Sequence, residues 1–280
     1  MTPDPYARRV YLQTLASLPL ATRHSAGSRR RAAALRRFLL DLHEVGRAEL
    51  DLPDKLELLV VNKSDWGSLF SYPYGLPFTR TKAGGGGVSI VAAADYPTKL
   101  LRRWDGILLR AAQCGQRAPG ELPEFLDLLV GHEWGHAAAN LSGLRTRVKW
   151  FDEFMATYLF LAALQESDRA LGRDLSARFV AWSTLVAAGS TARRADLGAF
   201  EYPLAKLKFD NLAWFQGVFT LGAWELLKRR GWNFPVAVRA RLGKPDRGDL
   251  ARLLLELEPG FKSWFASFGP AGKERKESDC

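Results

Sequence analysis

Leu126-Asp127-Leu128-Leu129-Val130-Gly131-His132-Glu133-Trp134-Gly135-His136-Ala137-Ala138-Ala139 is the stretch on which the reading of this chain turns. Apolar residues flank a five-residue centre, His132 to His136, of the form H-E-x-x-H. Side chains four residues apart share one face of an α-helix, so the two imidazoles can reach one ion. Glu133, beside the first imidazole, can reach a water on that ion. The chain holds only four histidines in 280 residues, and two of them fall in this window. Pro123 and Glu124 suit the first turn of a helix and Gly143 suits its end. The spacing therefore predicts a helix over about 123–140 with the motif inside it. Polar groups in so apolar a helix are costly unless paired, and a metal would pair them. Gly135 costs roughly 1 kcal/mol of helix propensity relative to Ala. In return, its missing side chain leaves room for a backbone or a substrate beside the metal.

A catalytic zinc takes three protein ligands and leaves one position open. The other histidines, His24 and His43, lie far upstream, and Cys114 and Cys280 are the only cysteines. A carboxylate is thus expected as the third ligand. The next predicted helix offers Trp150-Phe151-Asp152-Glu153-Phe154-Met155-Ala156, two acids among large apolar residues. Either acid could simply serve a helix N-terminus. Ligand chemistry favours Glu153 over Asp152, and Asp152 could instead orient a histidine from behind.

Around this centre the chain reads as α+β. Residues 1–50 are expected to form an N-terminal helical region, with Ser28 capping a helix through Arg29-Arg30-Arg31 and Arg36-Arg37. No aromatics interleave with these arginines, and the apolar residues keep helical spacing, so they read as a solvated face and argue against nucleic acid. Leu56–Val61 and Val88–Val91 read as buried strands within a region expected to span 51–143 and to end on the motif helix. Between them lie the loop Tyr72-Pro73-Tyr74-Gly75 and the run Gly84–Gly87, which is no phosphate loop because no Gly-Lys-Ser/Thr follows. That run is a flexible turn, or else a place where a substrate backbone nears the adjoining strand. A helical subdomain is expected over 144–270, with helices near 148–165, 173–188, 211–230 and 249–257, and a disordered tail over 271–280. Five tryptophans of this part (Trp182, Trp214, Trp224, Trp232, Trp264) read as core residues or, less simply, as the walls of a cleft.

His132-Glu133-Trp134-Gly135-His136 followed by Glu153 and, three residues on, Ala156 resembles the gluzincin metallopeptidases. The likeness covers about residues 50–230. It implies a zincin-like fold with a small N-terminal mixed sheet, an active-site helix and a mostly helical C-terminal subdomain. It further implies Zn²⁺ held by His132, His136 and Glu153, with Glu133 as general base and a peptide or protein as substrate. Trp214-Phe215-Gln216-Gly217 is similar to the Tyr-x-Lys-Gly helix of the aminopeptidase branch, in which the Tyr helps stabilise the oxyanion. Trp214 stands at that place here, so Trp214, Tyr202 or Tyr158 is expected to take the role. The Gly-Ala-Met-Glu-Asn exopeptidase signature is absent.

The expected activity is a zinc-dependent hydrolase, with a water on the zinc activated by Glu133. Two other readings compete with it: a metal-stapled interaction module without catalysis, and a basic nucleic-acid-binding protein. The net charge of +10 fits acidic partners in general. No apolar run is long enough to span a bilayer. Two cysteines exclude a disulfide framework and suit a reducing, cytoplasmic setting. Arg8-Arg9-Val10-Tyr11-Leu12 offers the alternative of a twin-arginine-like export signal.

Overall fold

The computed structural model describes residues 10–82, 87–146, 148–171, 173–190, 195–201, 208–242 and 247–269. The elements run β1 (Gln13–Ala16), β2 (Ala21–His24), α1 (Arg29–Leu50), β3 (Leu56–Val61), α2 (Lys63–Leu69), β4 (Phe78–Thr81), β5 (Val88–Ala93) and α3 (Thr98–Gln113). They continue α4 (Leu122–Leu141), α5 (Lys149–Leu171), α6 (Leu175–Gly189), α7 (Leu197–Phe200), α8 (Phe209–Arg230), α9 (Asn233–Arg241), α10 (Arg247–Leu257) and α11 (Phe261–Ala266). The architecture is α+β: a five-stranded mixed sheet followed by helices.

β3 and β5 carry the two expected apolar runs, and every residue in them is buried. They pair in parallel, with Leu58 opposite Ile90, which explains continuous apolarity rather than alternation. The sheet order is β1-β2-β3-β5-β4, with β2 also parallel and both edge strands antiparallel to their neighbours. One sheet face packs under α1 through Leu35, Leu39 and Leu42 and continues into the core of the C-terminal helices. The other is covered by Trp66 and the rings of Phe70, Tyr74 and Phe78.

Three local expectations are corrected. The N-terminal helical region opens with two strands, β1 and β2. Each has four residues with few apolar positions, and partners rather than composition hold them in place. Arg23 of β2 pairs with buried Glu57 of β3 at 2.6 Å. The loop expected between the central strands contains α2 and β4. The region 51–143, read as two strands leading to the motif helix, also holds α3. Gly87 has φ +120° and faces the Lys55 carbonyl, where a Cβ would collide. The close approach there is thus to this protein's own backbone.

The longer C-terminal helices match the periodic pattern to within a few residues, except that α5 runs on past Gln165 to Leu171, and Gly143 at φ +77° and Gly231 at φ +48° follow α4 and α8. No helix among the described residues is long and apolar enough to cross a membrane. Arg8, Arg9, Gly84–Gly86, Tyr202 and the tail over 271–280 lie outside the described residues.

Candidate metal centre

α4 and α5 cross closely because glycine faces the crossing. A Cβ on Gly131 would overlap the Phe160 ring, and one on Gly135 would overlap the Ala156 carbonyl. Those two glycines are four residues apart and so line one side of α4. The missing side chain of Gly135 admits a backbone, one of the two options its position suggested. The contact seats the first turns of α5 beside the histidines.

At the crossing, His132 Nε2 lies 3.3 Å and His136 Nε2 lies 3.4 Å from the same oxygen, Glu153 Oε2. The imidazole rings stand at 85° to each other with centroids 4.7 Å apart. A charge-assisted N–H···O⁻ bond is shorter, roughly 2.7–2.9 Å. Atoms bound about 2.0–2.1 Å from one tetrahedral ion stand roughly 3.3–3.4 Å apart. The observed spacing therefore fits ligands around a shared cation better than a direct ion pair. The histidines and a Glu133 oxygen also lie within 4.8 Å of one another. Glu133 Oε2 is, however, 2.8 Å from the Thr79 hydroxyl of β4, so Glu153 is the acid that fits a ligand role and Glu133 stands beside it.

The surrounding bonds settle which ring nitrogen faces the centre. The Thr157 hydroxyl, fully buried, lies 3.0 Å from the Glu153 carbonyl and 3.1 Å from His132 Nδ1. A carbonyl can only accept, so the hydroxyl donates there and accepts from Nδ1–H. His132 Nε2 then carries the lone pair toward Glu153 and a cation. The Gln216 amide of α8 donates to Glu153 Oε2 at 2.6 Å and fixes that carboxylate from the opposite side. The Thr79 hydroxyl reaches both the Glu133 carbonyl and its Oε2 at 2.8 Å, and its one proton serves one of them at a time.

Burial tends to neutralise His136, but Glu153, with Glu133 and Asp152, outweighs it and holds the ring's pKa up at about 9. Burial would raise Glu153, yet the two histidines bring it well below the usual carboxylate range. At Glu133 burial prevails over the histidines and Thr79, and its pKa is raised. Two neighbouring carboxylates thus differ: one is held ionised, the other shifted toward the range of a general base.

Asp152, the alternative ligand, accepts from the Thr146 N–H at 2.7 Å and the Thr146 hydroxyl at 2.9 Å. It organises the entry to α5, and Thr157 rather than Asp152, for which that option was open, meets a histidine from behind. Trp214 is buried against Phe215 and Phe268. Tyr158 is buried as well, and its hydroxyl donates to the Gly231 carbonyl at 2.7 Å. Neither lines the site, so both are corrected as oxyanion candidates, and the third, Tyr202, lies outside the described residues. Residues two apart point to nearly opposite sides of a helix. With Trp214 packed in the core, Gln216 is the residue of that tetrapeptide that meets Glu153.

Two hollows open from the centre. One, of about 140 Å³, runs past His132 between Leu129, Trp104, Phe125, Phe179 and Phe209. The other, of about 490 Å³, opens past His136 toward the polar side chains of Asn140, Arg145, Lys149 and Asp152. None of the five tryptophans read as core, or alternatively as cleft walls, lines either hollow. Tyr72 and Thr79 carried no mark of a site in the sequence; Thr157 had only its position one helical turn after Glu153, and Gln216 only its place in the tetrapeptide 214–217.

No family model matches this chain. No curated protein and no solved structure matches it either.

Proposed function

We propose that the protein is a zinc-dependent hydrolase of gluzincin type, acting on peptides. The observation that carries this reading is the convergence of His132 Nε2 and His136 Nε2 on Glu153 Oε2 at 3.3 and 3.4 Å. His132, His136 and Glu153 would hold the metal, for which two nitrogens and one carboxylate oxygen suit zinc. A zinc ion bound there would polarise a carbonyl and favour water ionisation near neutral pH.

The chain's own residues supply the rest. Glu133, with its raised pKa, accepts the proton of the attacking water and passes it to the departing amine. Thr79 keeps the Glu133 carboxylate at the edge of β4. A mixed sheet whose edge strand contacts the motif helix, followed by a helical part, is in keeping with a zincin-like fold. The two hollows favour an extended substrate that passes between them. A dry cavity of roughly 150 Å³ takes a benzene molecule, so the 140 Å³ apolar hollow suits one large apolar side chain next to the scissile bond.

Metal analysis and a quenched-fluorescence peptide library test the reading. Wild-type protein should hold one zinc and cleave, and Glu133→Gln should keep the zinc and lose cleavage. Zinc retained by a wild type that cleaves nothing would replace the hydrolase with a metal-stapled module.

A further inference from the structure

Trp214 and Tyr158, two of the oxyanion donors expected from the sequence, line neither hollow at the candidate centre. We infer that Tyr72 is a catalytic residue, its phenol donating a hydrogen bond to the substrate oxygen on which negative charge develops. This rests on the hydrolase reading above.

A substrate that passes from one hollow to the other must cross the line where they meet. Four residues border both hollows: Tyr72, Pro77, Glu133 and Glu153. Proline has no donor, and the two glutamates are the base and a metal ligand. Tyr72 is the one neutral donor of the four. Among the other neutral donors around the hollows, Gln216 is engaged on Glu153, Ser183 on the Phe179 carbonyl, Thr220 on the Gln216 carbonyl and Asn140 on Thr81, while the unpartnered indole N–H of Trp104 is buried and Trp104 borders only the apolar hollow. The Tyr72 hydroxyl makes no hydrogen bond among the described residues, and its side chain is 43% exposed at the mouth of the site.

The loop that carries Tyr72 is nonetheless held. The indole of buried Trp66 donates to the Tyr72 carbonyl at 2.6 Å. The Tyr72 ring packs on Phe78 with centroids 4.9 Å apart. Such a donor is placed before the reaction, the condition under which an oxyanion contact is effective. Burial, then the charges of Glu133 and Glu153, raise the phenol's pKa, so it stays a donor at neutral pH. Tyr72 lies upstream of the motif, on the sheet side of the cleft, whereas the sequence resemblance directed attention to downstream helices.

The test compares zinc-loaded full-length wild type, Tyr72→Phe, Tyr74→Phe and Glu133→Gln on the best peptide from a quenched-fluorescence library. Removing one such donor costs roughly 100- to 1,000-fold in kcat. Tyr72→Phe should show that loss, with zinc content unchanged and KM within about twofold. A phosphinic analogue of the cleaved peptide, whose tetrahedral oxygens mimic the oxyanion, should bind Tyr72→Phe at least about tenfold more weakly, while the product peptides bind both proteins alike. Tyr74→Phe, whose hydroxyl bonds to Asp95 away from the site, should match wild type. A Tyr72→Phe variant with kcat within about threefold of wild type and undiminished phosphinate affinity overturns the assignment and leaves the hydrolase reading standing. A wild type no faster than Glu133→Gln overturns both.

Discussion

Replacing Gly135 with alanine is the most direct perturbation of the crossing that builds the centre. Judged by helix propensity alone, alanine in α4 should stabilise by about 1 kcal/mol. The tertiary setting reverses the sign. The added methyl would overlap the Ala156 carbonyl, which is backbone and cannot rotate away. To restore van der Waals contact α5 must back off by on the order of 1 Å, and overpacking of this kind costs roughly 1–3 kcal/mol. The net effect on the metal-free protein is then about 0–2 kcal/mol of destabilisation. Metal binding should suffer more. Ligand distances tolerate only about 0.2 Å, and Glu153 sits three residues before Ala156 on the helix that must move. We expect Gly135→Ala to weaken zinc binding at least about tenfold, measured by competition with a chromophoric chelator, alongside a lower Tm. Gly67→Ala is the matched control, because no atom lies within 4 Å of a Cβ built there. It should gain up to about 1 kcal/mol from propensity and leave zinc affinity untouched. Wild-type zinc affinity and an unchanged Tm in Gly135→Ala would refute the claim that this glycine sets the distance between Glu153 and the histidines.

Thr157→Val removes the acceptor of His132 Nδ1–H while keeping the shape of the side chain. Zinc affinity should fall by roughly 10- to 100-fold, and Thr157→Ser should recover most of it; equal affinities in all three proteins would count against the orienting role. His43 is buried with neither ring nitrogen hydrogen-bonded, and it stands 3.8 Å from Asp54, beyond bonding distance. Burial, aided by Arg47 and opposed by Asp54, lowers its pKa from the ordinary 6.5. The unfolded chain therefore binds a proton that the folded protein resists, so this stability is complete above about pH 6.5 and is lost as the pH falls below it. His43→Leu should be more stable by on the order of 1 kcal/mol and lose less stability between pH 7 and pH 5 in urea titrations. A variant with the same pH slope as wild type would show that His43 is not the group responsible.

The elements legible in the sequence are those whose order is local. α4 announced itself because apolar residues, a first-turn proline and a terminal glycine all act within a few turns of one helix, and α5 did so through its apolar run alone. The pair His132 and His136 was legible for the same reason, since four-residue spacing is a property of one helix. Glu153 followed from the scarcity of other ligands rather than from any geometry. β3 and β5 were legible because strands buried on both faces need unbroken apolar runs. β1 and β2 were not, because four-residue strands with so few apolar positions draw their stability from the neighbours they pair with.

The remainder belongs to tertiary structure. Thr79 meets Glu133 across 54 residues of chain and Gln216 meets Glu153 across 63, so no window of sequence contains either pair. Trp214 and Gln216 stand two residues apart, and only the packing of α8 against α5 and α6 decides which of them turns inward to the aromatic core and which to Glu153. Tyr72 reads as an ordinary loop residue until Trp66 and Phe78 hold it over Glu133 and Glu153. The sequence by itself determined the chemical types at the centre, two imidazoles and the carboxylates. The fold decided which oxygen joins the imidazoles, because that choice depends on how closely two helices can approach.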